Sequence, residues 1–236
     1  MGYVFAITGD SASGKSTLAE LLKNALSNTL VLECDRYHRW ERGDPHWQDM
    51  THLNPEANRL DKMQQDIVDL KSGNPIHEVE YDHSSGKFTD PRIESPTDNI
   101  IVCGLHSFFT EGEIYDLKIY MDPDPQMRVK WKVARDTSER KHSEEAVLKQ
   151  IASRKDDFEK YVLPQRSLAD IIVNFNEQGL ALLIRRKYDL SKLGLDAYAV
   201  NSVDPDFHIL RFVPDSRETH YQQIISVILS LKGISE

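Results

Sequence analysis

The residues best suited to chemistry stand near the start of the chain, in Gly9-Asp10-Ser11-Ala12-Ser13-Gly14-Lys15-Ser16-Thr17. Glycines let successive backbone N–H groups turn inward around an anion, and a helix opening there adds the partial positive charge of its N-terminus. Lys15 can reach toward β- and γ-phosphates, and the Ser16 hydroxyl suits Mg²⁺. The bland alternative is a Gly/Ser-rich turn between a strand and a helix. Context argues against it. The loop follows the apolar run Tyr3-Val4-Phe5-Ala6-Ile7 and opens an amphipathic stretch carrying Leu18, Leu21, Leu22, Ala25 and Leu26. That strand, loop and helix form the setting a P-loop requires. The stretch therefore predicts a site for a nucleoside triphosphate, ATP with Mg²⁺.

Phosphoryl transfer needs more than a phosphate cradle. It also needs a group that orients the nucleophile and cations that meet the developing charge. Asp35 ends a second predicted strand, Leu30-Val31-Leu32-Glu33-Cys34, at the edge where ligands of open α/β sheets sit. Its carboxylate can accept a proton from a substrate hydroxyl or help to hold Mg²⁺; a helix-cap aspartate is the plain alternative. Next to it lie His38, Arg39 and Arg42, and His38 and Arg42 would meet if this stretch were locally helical. Arginine there suits a phosphorylated or carboxylated acceptor, because guanidinium binds such anions bidentately. Solvated loop charges are the alternative reading. A second cation source is a helix over about 124–138, with Arg128, Lys132 and Arg135 on one face and Met127, Trp131 and Ala134 on another. It leads through Arg135-Asp136 and Ser138-Glu139-Arg140-Lys141-His142 to a second helix over about 143–160, capped by Ser143. Two helices joined by a basic loop make a lid that closes over ATP and excludes water, and Arg154-Lys155 can join its cluster. The alternative is a charged surface hairpin.

The elements that must position these groups alternate in type. Asn54 reads as the cap of a helix with Pro55 in its first turn, Gly73 near its stop, and Leu60, Met63, Ile67 and Leu70 as its buried stripe. A small β excursion is expected between Ile76–Tyr81 and Lys87–Thr89 around the Ser84-Ser85-Gly86 turn. Core strands follow at Asn99–Cys103, Leu117–Met121 and Asp170–Asn174. The tail reads as strands near Leu180–Arg185 and His208–Phe212, then a helix capped by Ser216. This order predicts an α/β fold: a three-layer P-loop NTPase sandwich with a mainly parallel sheet, a small β excursion and a helical lid. One domain over residues 1–236 is expected, with the lid at about 124–160 and the tail at about 177–236.

Composition bounds the remaining classes. A formal net charge of −9 disfavours nonspecific attraction to nucleic acid or an anionic membrane. No apolar run approaches the roughly 20 residues that cross a bilayer, and no signal-peptide pattern stands at the N-terminus. Cys34 and Cys103 read as reduced, buried thiols of a cytoplasmic protein. None of the nine histidines shows a zinc spacing. The expected partner is a small-molecule acceptor, with no nucleic acid and no membrane, and with self-association into a homo-oligomer left open.

Together these residues resemble the phosphoribulokinase and uridine kinase group of P-loop kinases, from Tyr3 to about Asn174. The resemblance rests on the P-loop, Asp35-Arg36-Tyr37-His38-Arg39, Thr51-His52-Leu53-Asn54-Pro55-Glu56-Ala57-Asn58, Tyr81-Asp82-His83, Gly104-Leu105-His106, Trp131 to Asp136, Arg140-Lys141-His142-Ser143 and Ala169-Asp170. The Leu-Asn-Pro-Glu-Ala-Asn phrase and the Asp-x-x-His motif lean toward phosphoribulokinase. The resemblance implies transfer of the γ-phosphoryl group to a hydroxyl of a sugar phosphate such as ribulose 5-phosphate. It implies Asp35 as catalytic base, Arg135 and Asp136 at the closing lid, and Lys15 and Ser16 on triphosphate and Mg²⁺. Gly9 to Thr17 and Arg140 would bind ATP, Ser16 and Asp35 the metal, and His38, Arg42, Tyr81, His83 and Arg154 the acceptor. Two departures stand out. Cys103 occupies the place of a usual glutamate before Gly-Leu-His, and a neutral thiol is a poor Mg²⁺ partner. Ser11-Ala12-Ser13 lacks the P-loop cysteine of plant-type enzymes, so no thioredoxin-switched disulfide is expected. A uridine or cytidine kinase, with Tyr37, Trp40 and Trp47 stacking a base, is the rival enzyme reading. A nucleotide-binding regulatory protein without turnover is the rival of another class.

Overall fold

The computed structural model describes residues 2–193, 199–200, 204–213 and 215–234. Its centre is an eight-stranded sheet. Five strands are parallel: β1 (Val4–Gly9), β2 (Thr29–Glu33), β7 (Asn99–Cys103), β8 (Leu117–Met121) and β9 (Ile171–Asn176). They lie in the order β2-β7-β1-β8-β9, so the carboxyl ends of β1, β2 and β7 share one edge. Tail strands β10 (Gly179–Arg185), β11 (Ala199–Val200) and β12 (Phe207–Phe212) extend the sheet beyond β9 in antiparallel register.

Alternation along β1 divides the core, because successive strand residues point to opposite faces. Phe5 and Ile7 join one cluster with Leu18 and Leu22 of α1 (Lys15–Ala25) and Ile224 and Ile228 of α6 (Arg217–Lys232). Val4 instead joins Met63, Ile67 and Leu70 of α2 (Leu60–Lys71), and Ala6 packs with Phe108 and Tyr120. Helices therefore cover both faces, the three layers expected from the alternation of elements.

Four local expectations change. Asn54 does cap, its Oδ1 accepting from Glu56 N at 3.0 Å, but it caps a short 3₁₀ turn at Pro55–Ala57. The α2 helix starts only at Leu60, after Asn58 turns extended and binds back to His52 and Asn54 through its side chain. The β excursion is two nested ribbons, β3 (Ile76–Glu78) with β6 (Arg92–Glu94) outside β4 (Tyr81–Asp82) with β5 (Lys87–Phe88). The two helices expected to form a lid are α3 (Pro125–Ser138) and α4 (Glu144–Ser153), and the second breaks at Arg154 before a short turn, α5 (Lys155–Asp157), and a wide turn at Phe158–Val162. His38 and Arg42 share no helical turn, because the 3₁₀ turn Cys34–Tyr37 ends and His38 is already extended.

Candidate active site

The P-loop leaves β1 at Gly9 and enters α1 at Lys15. Gly14 is the N-cap at φ +97°, Ala12 stands at φ +63°, and no side chain caps α1. The N–H groups of the first turn are thus left for an external acceptor, the anion-binding arrangement expected of a helix start. A Cβ at Gly14 would overlap the Tyr221 hydroxyl, so glycine is required by space as well as by φ. Lys15 folds across the loop and donates to the Asp10 carbonyl at 2.7 Å. Burial pulls its ammonium below the ordinary lysine value, while Asp10 and Asp35 act in the opposite sense.

Not all of Gly9 to Thr17 faces the ligand space. Ser11, Ala12, Gly14, Lys15, Ser16 and Thr17 line a cavity of about 1090 Å³. Ser13 is fully buried with an unpartnered hydroxyl, and the carboxylate of Asp10 is held by Arg128 at 3.0 Å, so these two shape the loop from behind.

The opposite wall carries Asp35, which the end of β2 and the following 3₁₀ turn deliver to the carboxyl edge. His83, from the turn between β4 and β5, places Nε2 at 2.9 Å from Asp35 Oδ2. His38 Nε2 stands 3.8 Å from Asp35 Oδ1. Burial alone would raise the Asp35 carboxyl; the His83 hydrogen bond, with His38 and Lys15, outweighs it and holds the group well below the usual carboxylate range. Asp35 is therefore ionised whenever the protein is folded near neutrality. His38 is pushed down, chiefly by burial. Its Nδ1 lies 2.8 Å from Asn58 Oδ1, and the Asn58 amide nitrogen is committed to two carbonyls, so Nδ1 carries the proton. That leaves a lone pair on Nε2, beside Asp35, available to a hydroxyl donor. Tyr81 packs edge-on against both histidines, with ring centroids 5.0 Å and 5.2 Å away.

Cations converge from three segments. Arg42 donates to the His83 carbonyl at 3.0 Å, joining the loop after β2 to the β4–β5 turn while lining the cavity. Arg154, at the break after α4, lines this cavity and an adjoining one of about 630 Å³. Arg135 reaches the P-loop, donating to Ser11 Oγ at 3.1 Å, and Arg140 lines the same wall. Asp136, expected beside Arg135 at the reacting end, is fully buried and is not among the cavity-lining residues. It gathers Lys132 at 2.7 Å, Arg135 at 2.8 Å and Arg140 at 3.6 Å, so its effect on the site passes through those cations. Lys132 is buried with it, and of Arg128, Lys132 and Arg135 only Arg135 lines the cavity.

Cys103 lines the cavity at the end of β7, and burial pushes its thiol up to about 12. A protonated thiol offers Mg²⁺ nothing, whereas the Ser16 hydroxyl and the Asp35 carboxylate are the oxygen donors that this ion prefers, so the site fits the metal without Cys103. Glu33, directly opposite Cys103 in the β2–β7 register, also lines the cavity and brings a further carboxylate to this edge. Glu33, His52, Trp131 and Arg217 are cavity residues that the sequence did not assign to the site; of the three aromatics expected to stack a base only Trp47 lines the cavity, Tyr37 being buried on Asp66 and Trp40 lying outside the lining. His52 is buried with both ring nitrogens unpartnered, and burial with neighbouring His38 drives it down to about 3. Its place inside the Thr51–Asn58 motif was the available signal; Arg217 had none, because only the fold brings it to the loop.

The chain is similar to a phosphoribulokinase of Synechocystis sp., 33% identical over 174 residues, covering 72% of this chain and 52% of that protein. It is 29% identical over 178 residues to a uridine kinase of Staphylococcus aureus, covering 72% of this chain and 86% of that one. The chain spans about half the length of the curated phosphoribulokinases it matches, those of Synechocystis sp. and Chlamydomonas reinhardtii. A solved phosphoribulokinase from Rhodobacter spheroides shares the fold with a TM-score of 0.71 at 20% identity, over 98% of each chain. That likeness includes the tail, which matched no family pattern in the sequence. Residues 4–179 fit the family model described as the Phosphoribulokinase / Uridine kinase family, and the chain belongs to that family.

Proposed function

We propose that this chain is an ATP- and Mg²⁺-dependent kinase that phosphorylates a hydroxyl of a sugar phosphate, with ribulose 5-phosphate as the first candidate. The observation that carries the reading is the placement of Asp35, braced by two histidines, across one cavity from the P-loop lysine. Lys15 and the N-terminus of α1 hold the triphosphate, and Arg135 and Arg140 meet its outer oxygens. Bound Mg²⁺, held through Ser16 and Asp35, would offset charge on the phosphate oxygens. Asp35 is a weak base, and a loose transition state suits one: it orients the hydroxyl and takes its proton late, as charge leaves the γ-phosphoryl group. Arg154 and Arg42 form the anion-binding end for the acceptor's phosphate, while His38 Nε2 accepts from one of its hydroxyls and His83 stays on Asp35. We read residues 1–236 as one kinase domain, with α3 and α4 as its lid. A small molecule is the acceptor; among the described residues, no helix is long and apolar enough to cross a membrane.

A nucleoside acceptor is the second reading, favoured by the aromatic cluster at the cavity, where Trp47 lies 4.1 Å from His52 and 6.3 Å from Tyr81 between ring centroids. ADP release with ribulose 5-phosphate, other pentose phosphates, uridine and cytidine decides between them. Turnover with a phosphorylated sugar is the expected result, and turnover confined to nucleosides would move the acceptor to the aromatic cluster. Asp35→Asn should lower kcat by about 10²-fold or more with ATP affinity kept, the loss typical of a removed general base. An unchanged kcat would remove Asp35 as the base, and ATP binding without ADP release from the unaltered chain would leave nucleotide binding alone.

A further inference from the structure

The final helix reaches the P-loop from the far end of the sequence. Tyr221 of α6 donates its hydroxyl to the Gly14 carbonyl at 3.2 Å. One turn earlier, Arg217 lays its guanidinium over the Trp131 ring of α3, 4.0 Å from the centroid. Both Arg217 and Trp131 line the large cavity beside Thr17. One face of the guanidinium is covered by Trp131 and Nη2 donates to the Tyr221 hydroxyl at 3.3 Å, so its cavity-facing side is what remains for a ligand.

The sheet order says which part of a ligand lies there. Trp131 and Tyr221 both pack on Phe175 of β9, each with ring centroids 5.5 Å apart. From β1, whose end carries the P-loop, β9 lies two strands away in one direction and β2, which delivers Asp35, two strands away in the other. That sets the Arg217–Trp131 pair on the side of the P-loop opposite the acceptor, with Arg217 Nη2 3.3 Å from where a Cβ on Gly14 would stand. A nucleoside triphosphate with its γ-phosphate toward Asp35 must send its base to that side. Planar arginine stacks well on aromatic faces, and every nucleobase presents one.

We propose that Arg217, backed by Trp131, is the stacking platform for the nucleobase, so that a residue beyond the family-matched region sets much of the affinity for the nucleoside part of the donor. This rests on the reading of the P-loop as a triphosphate site. Stacking on a cation does not discriminate by hydrogen bonds, so purine triphosphates should bind similarly.

Titration calorimetry on the full chain, with the Mg²⁺ complexes of ATP and of inorganic tripolyphosphate, separates base from phosphate contacts. Arg217→Ala should weaken ATP about tenfold and leave tripolyphosphate unchanged, in line with the loss of one stacked base. Arg217→Lys, which keeps charge but not the plane, should show most of the same loss. The platform is overturned if ATP affinity is unchanged in both variants. It is equally overturned if both ligands weaken together and lysine restores them, which marks a phosphate contact. Lys15→Ala should weaken both ligands; if it weakens neither, the triphosphate reading itself falls and the platform with it.

Discussion

At the residue scale, the decisive feature is the pairing of Asp35 with His83. Its carboxyl is lowered, so the ionised, active form persists to acid pH, and activity is lost only as pH falls through that low value. His83→Gln removes the largest stabiliser of the charge while burial continues to disfavour it. The acid limb of kcat/KM should therefore move to higher pH, read from a pH–rate profile; an unmoved limb would show that His83 does not govern Asp35. The stabilisation that this lowered carboxyl gives the fold is present above its unfolded value and fades as pH falls through the folded one. The wild type and the variant should therefore converge in stability in acid. Cys103 gives a second test. With its thiol pushed to about 12, the thiolate fraction at pH 8 is on the order of 10³-fold below that of an ordinary cysteine. Iodoacetamide at pH 8 should leave it unmodified in the folded chain and alkylate it after denaturation, as mass spectrometry would record.

At the scale of elements, Asp136 holds the lid together. Its carboxylate lies inside α3 with Lys132, and both are buried. Removing one partner of a buried pair strands the other charge, typically a loss of about 3–5 kcal/mol. Asp136→Ala should show a loss of that order in urea unfolding, together with a raised KM for ATP as Arg135 and Arg140 lose their common anchor. A stable variant with unaltered KM would exclude this role. The sequence showed α3 plainly, through Asp124-Pro125 and a mixed apolar and basic pattern. It did not show which charges turn inward, because helical spacing places Lys132 and Asp136 together without saying which face is covered. The break at Arg154 was hidden for a similar reason: Val147, Ile151 and Phe158 continue one stripe across it. The start of α2 was misplaced because Asn54 and Pro55 satisfy the same capping rules for a 3₁₀ turn as for an α-helix.

At the scale of the molecule, the tail is structural. Strand β10 pairs along the whole of β9, and α6 places Tyr221, Ile224 and Ile228 against Leu18 and Leu22 of the P-loop helix. Removing residues 179–236 would expose the β9 edge and that apolar face at once. The shortened chain should aggregate or unfold without a cooperative transition, as circular dichroism during urea titration would show. A soluble, cooperatively folding product would mean that the five parallel strands suffice alone.

The P-loop, the parallel strands and Asp35 were legible in the sequence because each depends on local rules: glycine where φ must be positive, apolar runs where both faces are buried, and a carboxylate just past a strand end. The resemblance and the charge pattern of the helix pair also pointed to His38, Arg42, Tyr81, His83, Arg135, Arg140 and Arg154, and the fold brings all of them to one cavity. Only tertiary structure decided that Asp136 and Lys132 turn inward, that His52 and Glu33 line the cavity, and that Arg217 lies beside Trp131. Those placements depend on strand order and on helix packing between segments far apart in the chain. Periodicity reports which face of an element is buried, but not what it is buried against.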